Sequence, residues 1–199
     1  MKFSHIILAS QSPQRSALLR QIACSFSVDP VPVEETVQPG LAPAEVVTDI
    51  ARQKAAAFFS ARAGLRCNTS TAVLTADTIV AHDGCIMGKP TSPEQAREYL
   101  SRIAGRRHTV YTGVHIADVS STWSTTFMDS AEVYIRSLTE QQIDAYILSD
   151  EWRGAAGGYR IQGAGGALVE RIDGAYPTVV GLPIHRIYGI VVGIEHLHA

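Results

Sequence analysis

An α/β protein with a mixed sheet is the fold the sequence predicts, on three observations. Strand-like and helix-like segments interleave from one end of the chain to the other. The first apolar run, Ile6–Ala9, passes within a few residues into Ser12-Pro13, a helix-start pair. Asp83-Gly84, between two strand-like runs, signals a hairpin and therefore antiparallel neighbours. No internal repeat or low-complexity segment complicates this picture.

The elements follow in order. Ile6–Ala9 reads as a short buried strand, and Ser12 caps a helix that begins at Pro13, where the missing N–H costs nothing. Leu18, Leu19 and Ile22 lie on one side of that helix. Phe26–Val33 alternates and carries two prolines, so it reads as an edge strand running into a loop. A long helix is expected over Pro43–Ala63, with Val46, Val47, Ile50, Ala51, Ala55 and Phe58 on its apolar face and Gly64 closing it. Ala72–Ala81 is a strand interrupted by Thr75, Asp77 and Thr78, and it returns through Cys85–Met87. Ser92 caps a helix to about Ile103, and strands follow near His108–Val119 and Thr122–Ile135. Thr139-x-x-Gln142 is a capping box for a helix through Leu148. A glycine-rich stretch, a strand pair around Tyr159–Ile172 and a final helix over Pro183–Glu195 complete the prediction.

Composition narrows the function classes. A chain of 199 residues buries roughly 70% of its unfolded surface, enough for a sizeable core. The 17 basic and 19 acidic residues nearly cancel, and the longest basic cluster is Arg106-Arg107-His108. This argues against a protein that grips nucleic acid, though a single nucleotide needs only a few cations. Cys24, Cys67 and Cys85 form no C-x-x-C pair, which disfavours a zinc knuckle or disulfide framework and fits a reducing, cytoplasmic setting. The apolar start is broken at Ser10-Gln11, too early for a secretion signal, and no run approaches a membrane span.

Three constellations carry chemistry. In Leu8-Ala9-Ser10-Gln11-Ser12-Pro13-Gln14-Arg15, a strand opens into a capped helix, and free N–H groups with added donors from Ser10, Ser12 and Arg15 suit a phosphate. The same pattern also describes an ordinary turn in which serine merely caps. Asp77, inside an apolar strand, needs a partner or a metal. Lys89, on the far arm of the hairpin, is a candidate neighbour, which leaves a structural ion pair and a functional carboxylate both open. The third, Tyr159–Gly166, fails the G-x-G-x-x-G and Walker-A patterns and reads as a turn that would also let a ligand approach. Glu34-Glu35 sits in a loop, solvated by default, yet paired carboxylates near a phosphate are what magnesium asks for. Lys54, in mid-helix, defaults to the surface. His185, His196 and His198 do not make H-E-x-x-H.

Together these segments resemble the Maf family of nucleoside triphosphate pyrophosphatases, from Leu8 to about Arg186. The anchors are Leu8-Ala9-Ser10 with Ser12-Pro13-x-Arg15, Glu35, Ala51-Arg52-x-Lys54-Ala55, Ala76-Asp77-Thr78, Gly88-Lys89-Pro90, Tyr159-x-Ile161-Gln162-Gly163 and Val179-Val180-Gly181-Leu182-Pro183. Each is weak alone, but the order and spacing of all seven are specific. The resemblance implies one Maf-like domain over residues 1–199, an extended mixed sheet flanked by helices, and two lobes around a central cleft. It implies hydrolysis of a nucleoside triphosphate to the monophosphate and pyrophosphate, dependent on Mg, Mn or Co. Asp77 matches the proposed general base, or is instead chiefly a metal ligand with Glu35, and Ser10, Ser12, Arg15, Lys54 and Lys89 match positions assigned to substrate and phosphate binding. Glu35 and Asp77 are the candidate metal ligands, and Thr78 and Gln162 match positions linked to the choice of base. The resemblance is compatible with a homodimer and carries no nucleic-acid or membrane partner.

Two departures bear on specificity. Gln14 replaces the first of two family arginines, and Gly154-Ala155-Ala156-Gly157 replaces Asp-Lys-Ala-Gly. Ala76-Asp77-Thr78 and Ile161-Gln162-Gly163 look like the branch acting on dTTP and UTP, so pyrimidine triphosphates, including modified ones, are the expected substrates. The rivals are the same reaction on 7-methyl-GTP or a broad nucleotide range, and a non-catalytic regulator of cell division.

Overall fold

The computed structural model describes residues 2–22, 24–64 and 70–193. Its elements are β1 (His5–Leu8), α1 (Pro13–Gln21), β2 (Phe26–Val28), α2 (Pro43–Ala61), β3 (Thr71–His82), β4 (Cys85–Met87), α3 (Pro93–Ile103), β5 (Arg107–Asp118), β6 (Ser124–Ile135), α4 (Glu140–Ile147), β7 (Val169–Asp173), α5 (Tyr176–Val180) and α6 (Ile184–Val192). The seven strands form one sheet in the order β2-β1-β3-β5-β6-β7, with β4 on β3. Pairing of β1 with β2 and β3 is parallel, whereas β3–β4 and β6–β7 are antiparallel, so the sheet is mixed as expected. The chain forms two compact units, Met1–Asp77 with Thr112–Asp129 and Gly181–Ala199, and Thr78–Tyr111 with Ser130–Val180.

In the first unit β1 is a buried apolar run, with Ile6, Ile7 and Leu8 all shielded from solvent. Edge strand β2 stops at Val28, shorter than predicted, because Pro30 and Pro32 interrupt any further ladder. Ser12 caps α1 by accepting a hydrogen bond from the Arg15 amide. Helix α2 buries Val46, Val47, Ile50, Ala51, Ala55 and Phe58, and Glu45 accepts the amide of Ala42 at its start. Two contacts fix α2 on the sheet. The buried Thr75 hydroxyl of β3 donates to the Ala51 carbonyl at 2.7 Å. Gly113 of β5 lies directly under the helix, where a Cβ would overlap the Val47 carbonyl and stand 2.7 Å from the Thr48 amide. Helix α6 ends at Gly193 in the left-handed region, and its Val191 carbonyl accepts the amides of Lys2 and Phe3. The rest of the expected final helix, to Glu195, lies outside the described residues, as do Cys67, His196 and His198.

In the second unit the Asp83-Gly84 turn has positive φ at both residues (49° and 75°), the geometry of a tight hairpin. Ser92 caps α3, and Thr139 with Gln142 closes both bonds of a capping box on α4. Leu100, Ile103, Val133, Ile135 and Trp152 centre the core of this unit. The strand pair expected around Tyr159–Ile172 is only half present. Strand β7 pairs with β6, but residues 156–158 and 164–168 form 3₁₀ turns. Gly157 and Gly158 adopt φ of 72° and 79°, and a Cβ on Gly165 would crowd the backbone of Arg160, so the chain coils here instead of extending.

Candidate active site

The first unit brings four of the charged candidates together. Lys54, expected on the surface, turns inward from α2, and its ammonium lies 2.7 Å from Asp77 Oδ1 and 2.9 Å from Glu35 Oε1. Side-chain exposures of 16% for Lys54 and 14% for Asp77 show a shielded pair, whereas Glu35 at 47% stands at its edge. The local reason is periodicity. Lys54 is four residues from Ile50 and four from Phe58, both buried, so it shares their face of α2. Thr75 and Asp77 alternate on β3 and share a face of the sheet, and the Thr75–Ala51 bond therefore registers the helix turn that carries Lys54 against Asp77. The ammonium bonded to Asp77 is thus Lys54, where Lys89 was the candidate from the hairpin.

Arg15 adds a second cation. Its Nε donates to the Gly181 carbonyl at 2.9 Å and its Nη1 to Ser10 Oγ at 3.2 Å. Gly181 presents that carbonyl with φ of 116°, a conformation glycine holds without strain. The first and last sequence motifs are therefore joined through one guanidinium. Burial pushes the Arg15 guanidinium down from its ordinary value, while the carboxylates of Asp77 and Glu35 act in the opposite direction. Ser12 does serve as a cap, and its hydroxyl also donates to Gln14 Oε1 at 3.2 Å. Gln14 thus folds back onto the helix start in place of offering a cation.

Thr78, Lys89 and Gln162 belong to the second unit. Thr78 follows Asp77 on β3 and is half-buried, Lys89 is exposed just after β4, and Gln162 is exposed in the turn at 161–163. The Glu151 carboxylate packs on the next residue, Gly163, where any Cβ would collide with it. That carboxylate is the far end of a flexible side chain and could give way to a Cβ, and the sequence pattern alone did not reveal this contact. Gly113 and Thr75 were likewise missed, and a lone glycine within an apolar strand was the signal for the first.

Chemically, the first unit offers two carboxylates converging on one ammonium, with a guanidinium in electrostatic reach. Among the described residues no group of three or more His, Cys, Asp or Glu gathers as a metal cage. Two hard oxygen donors without a cage fit a cation of the magnesium type, which takes its other ligands from water and phosphate.

Comparison with known proteins places the chain. The family model described as "Maf-like protein" matches residues 5–193. A protein of Salinibacter ruber named dTTP/UTP pyrophosphatase is 42% identical over 184 residues, 92% of this chain and 87% of that one. One of the same name from Bacillus cereus is 42% identical over 182 residues, 92% of this chain and 91% of the relative. The solved structure of the Staphylococcus aureus Ham1 protein aligns at a TM-score of 0.44 and 17% identity, covering 66% of this chain and 71% of that one. With a family model matched across nearly its whole length and relatives at this identity, the chain belongs to the Maf family.

Proposed function

We propose that this chain is a cytoplasmic pyrophosphatase that hydrolyses nucleoside triphosphates to the monophosphate and pyrophosphate, preferring dTTP and UTP. The observation that carries the reading is the Glu35–Lys54–Asp77 chain with Arg15 beside it. Identity of 42% to proteins named dTTP/UTP pyrophosphatase supports the substrate class.

Each residue then has a task. A triphosphate carries about four negative charges near neutral pH, and Arg15, Lys54 and Lys89 are the cations assigned to its oxygens. Two of the Arg15 nitrogens are held by Gly181 and Ser10, so little side-chain freedom remains to be lost on binding. Asp77 orients a water and takes its proton as the oxygen bonds to the α-phosphorus. The bond from the α-phosphorus to the bridging oxygen breaks, and pyrophosphate leaves with that electron pair. Glu35 and Asp77 would hold a divalent cation, which supplies charge neutralisation at the phosphate oxygens. Gln14, Thr78 and Gln162 are assigned to the choice of base, and Ser10 and Ser12 shape the phosphate end.

The test is pyrophosphate release across a nucleotide panel that includes dTTP, UTP, purine triphosphates and 7-methyl-GTP, with Mg, Mn or Co. Faster turnover of dTTP and UTP is expected, and equal or better turnover of 7-methyl-GTP overturns the preference. Asp77→Asn should lower turnover by at least ~10²-fold, the scale of a lost general base. Near-normal release from a folded Asp77→Asn protein refutes the assignment.

A further inference from the structure

We infer that Gln53 is a positioning residue for Glu35, acting through the backbone of Thr36; the inference rests on the role proposed above for Glu35. Glu35 lies in a stretch, residues 29–38, with neither helix nor strand to hold it. An exposed carboxylate on such a segment gives up conformational entropy each time it is brought to one place. Gln53, the neighbour of Lys54 on α2, meets this problem with its side-chain amide. Its Nε2 donates to the Thr36 carbonyl at 2.8 Å, and its Oε1 accepts from the Thr36 amide at 3.0 Å. Both backbone groups of one loop residue are thereby paired to one helix residue. Adjacent helix residues engage adjacent loop residues, Gln53 with Thr36 and Lys54 with Glu35.

The orientation of the amide is itself fixed. Nε2 also donates to Asp49 Oδ2 at 2.8 Å, one turn earlier on α2. Both N–H bonds of the amide have acceptors, and a flipped amide would set its oxygen against the Thr36 carbonyl and the Asp49 carboxylate. Asp49 therefore selects the rotamer that can grip Thr36, and Thr36 places Glu35 where its Oε1 reaches Lys54.

The experiment compares wild type, Gln53→Ala and the near-isosteric Gln53→Glu, whose second oxygen would repel the Thr36 carbonyl and Asp49. Pyrophosphate release is titrated with Mn²⁺, alone and in a Glu35→Ala background, and exchange of the Thr36 amide is followed by NMR. The Mn²⁺ concentration for half-maximal activity should rise about tenfold in either Gln53 variant, the scale of one or two lost net hydrogen bonds. In the Glu35→Ala background the same substitutions should add nothing, because the pathway runs through Glu35. Thr36 amide exchange should speed up in both. An equal further loss without Glu35, or an unchanged Mn²⁺ dependence with Thr36 deprotected, overturns the inference. If wild type releases no pyrophosphate from any nucleotide, the proposed function fails instead. Thr36 exchange then decides alone whether Gln53 holds the loop, and unchanged protection in Gln53→Ala refutes it.

Discussion

Gly113→Ala tests whether the closeness of a helix to the sheet sets the reactive geometry. The added Cβ would overlap the Val47 carbonyl and come within 2.7 Å of the Thr48 amide. Ordinary contacts of this kind sit near ~3.5 Å, so α2 must retreat by on the order of 1 Å. The obstructing atoms are helix backbone, and no flexible side chain can swing away. Overpacking of this type costs about 1–3 kcal/mol. At about 2–4 °C per kcal/mol for a chain of this size, Tm should fall by about 2–12 °C. Lys54 stands seven residues beyond Val47 on the same helix, with its ammonium 2.7 Å from Asp77. A displacement of about 1 Å there should lower turnover by up to ~10²-fold at temperatures well below the melt. Thermal melts and pyrophosphate release at a low, fixed temperature separate the two effects. An unchanged Tm would show that α2 does not depend on the glycine. A lowered Tm with normal turnover would show that this contact does not govern the Lys54–Asp77 geometry.

Two further substitutions probe other parts of the chain. Arg15→Lys keeps a positive charge but cannot reach Gly181 and Ser10 together, so KM for the triphosphate should rise about tenfold with a smaller change in kcat; steady-state kinetics check it, and an unaltered KM rules it out. His108, buried and bonded to Tyr159, is lowered to about 4 by burial and by His82. Between that value and the ordinary 6.5 the unfolded chain binds the extra proton, so this contribution is fully present above pH 6.5 and is lost progressively down to about pH 4. The loss should reach no more than about 3 kcal/mol, and His108→Gln should flatten that part of the stability–pH curve in denaturant titrations. An identical slope in the variant would assign the acid sensitivity to other groups.

Punctuation made much of this fold legible in the sequence. Ser12-Pro13, Ser92-Pro93 and the Thr139–Gln142 box each mark a helix start through a local bond that needs no tertiary partner. Asp83-Gly84 marked its hairpin for the same reason. Elements set by close approach were hidden. Residues 156–168 coil because glycines there meet other backbone, whereas a pattern of apolar residues with Tyr159 and Ile161 resembles a strand. The short α5 gave no signal beyond Pro177 near its start. At the site, the inward turn of Lys54 was present in its spacing from Ile50 and Phe58, but a lysine on an apolar stripe is read first as the stripe's border. Gln53 left no trace, because its partner is the backbone of Thr36, and backbone carries no sequence identity.

The Glu35–Lys54–Asp77 chain has a kinetic side as well. Two carboxylates, one ammonium and the nearby guanidinium of Arg15 carry formal charges that cancel, on a chain whose own formal charge is −2. Such a quartet projects little field into solvent, so it gives an arriving nucleotide scant electrostatic steering. Association should then stay in the ordinary diffusive range of about 10⁵–10⁷ M⁻¹s⁻¹ and vary little with ionic strength. A self-neutralised set of groups also has no surplus charge with which to collect stray anions. Inorganic phosphate and sulfate would compete poorly there, and a polyphosphate would gain its advantage only when it arrives with a cation of its own.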